Sequence, residues 1–232
     1  MSIVQENYKK ARARIDSACM KAKRDRQSVR LLAVSKTKPA EMVRDCYQLG
    51  QTAFGENYLQ DALAKIEALR DLTDIEWHFI GPLQSNKTKA VAENFHWLET
   101  LDREKIARRL NEQRPPGLPP LNVLIQINIS DEDQKSGIPT TELPAFARTL
   151  AAMPRLKVRG LMCIPEATDD ETRLQQQFKR MQQLSNDLVN HYPDANVLSM
   201  GMSGDLELAI ACGSTEVRIG TDIFGARDNT AA

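Results

Sequence analysis

Short apolar runs alternate with stretches patterned every three or four residues from one end of this chain to the other, and that regularity restricts its fold more than any other feature. Strand-type runs fall at 29–36, 52–57, 76–81, 96–102, 121–130, 157–164, 196–202 and 216–220. Helix-type stretches separate them at 39–49, 58–72, 87–94, 103–113, 141–153, 171–192 and 205–211. Eight strands alternating with helices is the order of a (β/α)8 barrel. A doubly wound sheet also alternates, but it uses fewer strands in 232 residues, and no shift in composition marks a second domain. The expectation is one α/β barrel domain over residues 1–232. The segment RPPGLPP at 114–120 is read as a stiff loop between barrel halves.

An extra helix precedes the barrel. Val4, Tyr8, Ala11, Ile15, Ala18 and Ala22 form one apolar stripe at helical spacing, while Arg14, Arg24 and their neighbouring cations are read as a solvated face. Lys+Arg of 31 against Asp+Glu of 31 leaves no net charge, so the footprint of a nucleic-acid binder is missing. No apolar run approaches a bilayer span, and the start MSIVQENYKK lacks the apolar core of a signal peptide. The expectation is a soluble cytoplasmic protein. Cys19, Cys46, Cys163 and Cys212 form no CxxC pair and the three histidines show no ligand spacing, so buried reduced thiols and no metal are expected.

Chemistry concentrates where the strands end. The first run, VRLLAVSKTKP, is apolar on both faces until Lys36, the pattern of a covered parallel strand that closes on an ammonium. Ligands of barrels sit at the carboxyl ends of strands, so Lys36 is the candidate functional residue. Glu56 and Asn57 end the second strand, Gln84, Asn86 and Lys87 follow the third, and Asn128, Ser130 and Lys135 follow the fifth. In VRIGTDIFG, Arg218 and Gly220 share one parity, which turns the arginine toward the barrel interior. A short helix starting at Thr221 or Asp222 would present free amides beside a hydroxyl, and Ser203 with Gly204 would form the other side of a phosphate cup. Ser203 by itself is also an ordinary N-cap and Gly220 an ordinary turn. Asp205 and Glu207 oppose an anion there unless their side chains turn away.

A phosphate cup facing an amine suits a phosphorylated aldehyde held as a Schiff base, pyridoxal 5′-phosphate (PLP). The motifs LLAVSKTKP, FGENY, EWHFIGPLQSNK, SMGMSGDLELAI and RIGTDIFGAR resemble, over almost the whole chain, the pyridoxal phosphate homeostasis proteins (the YggS and proline synthetase co-transcribed homolog family). That family is similar to the barrel domain of fold-type III enzymes such as alanine racemase. The resemblance implies Lys36 as the Schiff-base lysine, Ser203, Gly220 and Thr221 as phosphate ligands, and Arg218 beside the pyridine nitrogen. It also implies Asn57 and Met200 along the ring, although Met200 equally fits a plain core role. Lys38 and Lys135 near the mouth are read as solvated charges.

The function expected is a cofactor carrier that keeps free PLP low and passes it to apo-enzymes. An arginine beside the ring nitrogen opposes its protonation, which makes the ring a poor electron sink. Racemases of this type also use a tyrosine from a second, β-rich domain, and this sequence stops shortly after Arg227, so neither that base nor the usual dimer surface is expected. A monomer follows. Tyr58 is the one tyrosine near the expected mouth. The alternatives are a PLP-dependent amino-acid racemase and a cofactor-free lysine aldolase whose cup holds a substrate phosphate.

Overall fold

Each apolar run becomes a parallel strand, and each strand pairs with the next until the eighth returns to the first. The structure, a computed structural model, describes residues 1–132 and 134–226. Helix α1 (Ile3–Lys21) comes first, then β1 (Arg30–Val34), α2 (Ala40–Tyr47), β2 (Ala53–Glu56), α3 (Leu59–Ala68), β3 (Glu76–Phe79) and α4 (Thr88–Asn94). The second half runs β4 (Trp97–Leu101), α5 (Glu104–Gln113), β5 (Leu121–Gln126), α6 (Leu143–Ala151), β6 (Leu156–Met162) and α7 (Glu171–His191). It finishes with β7 (Val197–Ser199), α8 (Leu206–Ala211), β8 (Glu216–Ile219) and α9 (Thr221–Phe224). The (β/α)8 barrel with an additional N-terminal helix is the architecture that the alternation predicts. Arg227, the last residue of the final motif, lies outside the described residues.

Two strands, β5 and β7, fall furthest short of their apolar patterns. Beyond Gln126 the alternation continues through Ile127 and Ile129, both at most 2% exposed, so burial persists after the ladder has given way to a single bridge from Ile127 to Ile138. The pattern 196–202 shortens because Gly201 takes φ +100°, which turns the chain out of the strand. The Pro-rich loop is pinned by Arg114, whose guanidinium donates to the carbonyls of Ala92, Phe95 and Pro119.

Helix α1 opens with a capping box in which Ser2 and Gln5 each bond the other's backbone N–H. Its stripe Val4, Tyr8, Ala11, Ile15 and Ala18 is buried, and the helix packs against α2, α8 and α9. The cations of α1 are not uniformly solvated, as the sequence reading has it. Arg24, just past the helix, donates to the carbonyls of Ile210 and Ser214, both at 2.8 Å. Arg14 reaches Glu207, Asp222 and the Ser203 carbonyl. Charge runs look alike in sequence whether or not another helix lies across them. All four cysteines are buried and unpaired, and no helix of the described residues is long and apolar enough to cross a membrane.

The barrel floor, at the N-terminal ends of the strands, is closed by Trp97. Arg30 and Arg159 place their guanidinium carbons 5.8 and 5.1 Å from its ring centroid, and its indole N–H donates to Glu76. Arg159 can do so because β6 slips register against β5 there, and the shift is completed by Gly160 at φ +143°. A Cβ on Gly160 would lie 1.8 Å from the Val197 carbonyl oxygen, so only glycine lets β6 and β7 pair. Gly160→Ala is expected to cost about 3 kcal/mol or more of unfolding free energy by urea titration. A cost below about 1 kcal/mol would contradict this close approach.

Candidate functional site

At the carboxyl ends of the strands a cleft of about 300 Å³ opens between the segments that follow β1, β2, β7 and β8. Lys36, Asn57, Ser203, Arg218, Gly220 and Thr221 all line it. Lys36 lies two residues past β1, in a tight turn where Thr37 adopts φ +63°, a conformation that a β-branched residue holds only when its surroundings enforce it. The enforcement is visible. Thr37 N–H donates to Asp61 at 2.9 Å, and the ammonium of Lys65 on α3 donates to the Ser35 carbonyl at 2.6 Å.

Lys65 also pairs with Glu56 at 2.7 Å and with Asp61 at 3.0 Å, and Ser35 Oγ donates to Glu56 at 2.5 Å. Lys65 is 4% exposed and Glu56 is fully buried, so this brace is a buried ion pair under the lysine turn. Burial pushes the Glu56 carboxyl up in pKa, while Lys65 and Ser35 pull it down without fully offsetting that cost. Sequence reading places Glu56 on the rim; the structure places it beneath the rim, holding Ser35 in position.

Arg218 points inward as its parity predicts and is 5% exposed. Its two terminal nitrogens donate to Ser199 Oγ and to the Cys163 carbonyl, both at 2.9 Å, which fixes the guanidinium plane at the bottom of the cleft. Asn57 is brought close because Gly81 lacks a Cβ, which would lie 2.2 Å from the Asn57 carbonyl oxygen. The side-chain oxygen of Asn57 is buried and has no hydrogen-bond partner.

On the far side, α9 begins at Thr221. The amides of Ile223 and Phe224 bond back to the Gly220 carbonyl, so those of Thr221 and Asp222 precede the first intrahelical bond. Ser203 precedes α8 but does not cap it; the N-cap is Asp205. The Asp205 carboxylate folds back to accept the Met202 N–H at 2.7 Å. Glu207 and Asp222 turn outward to Arg14, and that hydrogen bond holds the Glu207 carboxyl below its usual range. The acidic side chains that opposed an anion at this site are therefore directed elsewhere, and Arg14 ties α1 to both loops of the cup.

Met200 is placed elsewhere. Val197 and Ser199 of β7 face the barrel interior, so Leu198 and Met200 face the helices, and the fully buried Met200 side chain belongs to the core rather than to the cleft. Lys38, read as solvated, is 7% exposed and donates to the Ala226 carbonyl at 2.6 Å. Lys135 pairs with Glu132 at 2.7 Å and does not line the cleft. Neither do Tyr58, which is 49% exposed, nor Gln84, Asn86, Lys87, Asn128 and Ser130.

One group escapes the sequence altogether. His78, Glu99, Ser199 and Glu216 fill the barrel beneath Arg218, all buried and from four different strands. Each sits at an inward position of a largely apolar run, Glu216 two residues before the equally inward Arg218; that is the signal available, and it does not reveal which strands bring them together.

Fold and rim define a barrel of the alanine racemase type bearing a lysine at the end of its first strand. The model of the alanine racemase N-terminal domain family matches residues 4–228. The pyridoxal phosphate homeostasis protein of Pasteurella multocida is 55% identical over 228 residues, 97% of this chain and 98% of that protein. The protein of the same name from Escherichia coli K12 is 51% identical over 230 residues, 98% of each. This chain belongs to the pyridoxal phosphate homeostasis protein family. PipY of Synechococcus elongatus PCC7942, in a structure with PLP bound, is 36% identical at a TM-score of 0.78, over 85% of this chain and 93% of that one. Alanine racemase of Corynebacterium glutamicum shares the fold at 20% identity and a TM-score of 0.67, over 99% of this chain and 62% of that one.

Lys65→Met leaves the Glu56 carboxylate buried without its cation. The expected loss at pH 7 is about 3 kcal/mol of unfolding free energy. Glu56 is then held even further above its unfolded pKa, so the loss is full only above the variant's raised folded value and shrinks as pH falls through it. Chemical denaturation at pH 7 and pH 4 checks this; a loss under about 1 kcal/mol, or one that grows on acidification, would contradict it.

Proposed function

We propose that this protein binds pyridoxal 5′-phosphate in the cleft, holds it reversibly as a Schiff base on Lys36, and buffers the intracellular cofactor for delivery to apo-enzymes. The observation that carries the reading is the convergence on one cleft of an amine, a fixed guanidinium and two glycine-containing loops. The residues fit the group. The buried, unpartnered Asn57 oxygen offers an acceptor beside the ring, and a Cβ on Gly204 would meet no atom within 4 Å, leaving that side of the cup open. A relative with PLP bound and relatives named for its homeostasis support the same conclusion.

Each residue then has a distinct task. Lys36 is the covalent anchor, held in place by the brace on Ser35 and Thr37. Ser203, Gly204, Gly220 and Thr221 bind the phosphate through hydroxyls and amides. Arg218 meets the ring nitrogen and opposes its protonation by like charge. When bound, the cofactor supplies an aldehyde carbon that joins an amine reversibly.

A buffering role is favoured over racemisation because the described residues lining the cleft include no histidine, tyrosine, cysteine or carboxylate. Two-base racemisation needs a proton acceptor on each face of the ring. Lys38, the other amine in the cleft, is committed to the Ala226 carbonyl. A monomeric, single-domain cytoplasmic carrier over residues 1–232 completes the proposal.

Absorbance spectra of the protein and of Lys36→Ala, followed by borohydride reduction and peptide mass mapping, test it. A visible band lost in the variant and an adduct on Lys36 are expected, with no racemisation of amino acids above that of free cofactor. No band after cofactor is added, or an adduct confined to another lysine, would overturn the assignment.

A further inference from the structure

Beneath the rim lies a layer of polar side chains that the cofactor site does not itself use. His78 on β3, Glu99 on β4 and Glu216 on β8 are each at most 1% exposed, and one ligand-type atom from each lies within 4.8 Å of the others. Glu99 is the hub. Its Oε1 lies 2.7 Å from His78 Nδ1 and its Oε2 accepts Ser199 Oγ at 2.8 Å. Ser199 Oγ in turn accepts Arg218 at 2.9 Å, so a continuous chain runs from the guanidinium through a hydroxyl to the carboxylate. Glu216 faces Glu99 from the opposite side of the barrel, with one carboxylate oxygen of each within 4.8 Å of the other, and Glu216 Oε1 is buried without a hydrogen-bond partner.

The charge count decides how such a group survives without water. Arg218 brings one positive charge, and two ionised carboxylates would overshoot it inside a low-dielectric interior. At the floor, Arg30 and Glu76 pair at 3.1 Å and largely cancel. Burial lowers the His78 pKa to about 4, which keeps the ring neutral, with Nδ1 as the donor to Glu99 and Nε2 bare. Burial and the facing Glu99 charge raise Glu216 to about 8. One proton shared by two carboxyls brings the interior to neutrality.

We infer that Glu99 is a positioning residue for Arg218, carrying the negative charge that Ser199 relays to the guanidinium, while Glu216 holds a proton and donates it to Glu99. The inference rests on the proposed cofactor site, because the guanidinium so fixed is the group that meets the ring nitrogen. It makes the two glutamates unequal. An amide replaces a protonated carboxyl as donor and acceptor, but it cannot replace a carboxylate as the counter-charge.

The full-length protein, Glu99→Gln, Glu216→Gln and Ser199→Ala are titrated with PLP by absorbance, and their melting is followed without cofactor from pH 6.5 to 8. Glu99→Gln is expected to weaken binding about tenfold or more, and at least about fivefold more than Glu216→Gln does. Ser199→Ala, which keeps both carboxyls, weakens it in the same direction and serves if Glu99→Gln does not fold. A carboxyl with a raised folded pKa stabilises the fold at low pH and loses that contribution as pH rises toward about 8. The melting temperature of the native protein therefore falls over this range, and Glu216→Gln flattens the fall. Equal losses for the two amides, a slope that persists in Glu216→Gln, or one equivalent of tightly bound divalent metal by elemental analysis would each overturn the inference. Failure of the native protein to bind PLP would instead sink the cofactor reading, and the melting profiles would still locate the proton.

Discussion

The pairing of β8 with β1 is the contact on which the site depends. Four registered residue pairs, from Arg30 with Glu216 to Ala33 with Ile219, join the two ends of the chain's sheet. Without that seam Lys36 and Arg218 would stand on opposite edges of an open sheet. With it, the lysine turn after β1, the Gly220–Thr221 turn after β8 and the Ser203–Gly204 loop after β7 become neighbours on one rim. Helix α1 reinforces the seam from outside, since its Arg14 binds both of the last two loops.

A rim bearing a fixed lysine and a fixed arginine needs negative charge beneath it, and the interior supplies it in two places. Glu56 sits under the lysine turn with Lys65, and Glu99 under Arg218 with Ser199. Both carboxylates are buried, and each is bonded to a serine as well as to a second nitrogen group. Such arrangements contribute little net stability compared with an apolar core. They are intelligible as the cost of holding cationic side chains rigid at a site whose proposed ligand is anionic and aromatic. The apolar part of the interior, Trp97, Leu124, Met162 and Val197, fills the rest.

Much of this was legible in the residues. Apolar runs and Gly or Pro punctuation reveal eight strands, because strand burial and turn geometry are local properties. The inward aim of Arg218 follows from parity alone. Three things were not legible. Met200 has a parity opposite to Ser199, but a three-residue strand leaves too little pattern to tell which face is inside. Arg14 and Lys38 look like ordinary surface cations until the loops they bind are folded over them. The grouping of His78, Glu99 and Glu216 depends on strand stagger across the barrel, a global quantity that no short stretch encodes.

A crystal structure of the protein grown with PLP tests the central claim most directly. The account predicts the phosphate between Ser203–Gly204 and Gly220–Thr221, continuous density from Lys36 Nζ to the cofactor, and the ring nitrogen facing Arg218. Phosphate density at any other loop, or a ring whose nitrogen faces away from Arg218, would contradict it.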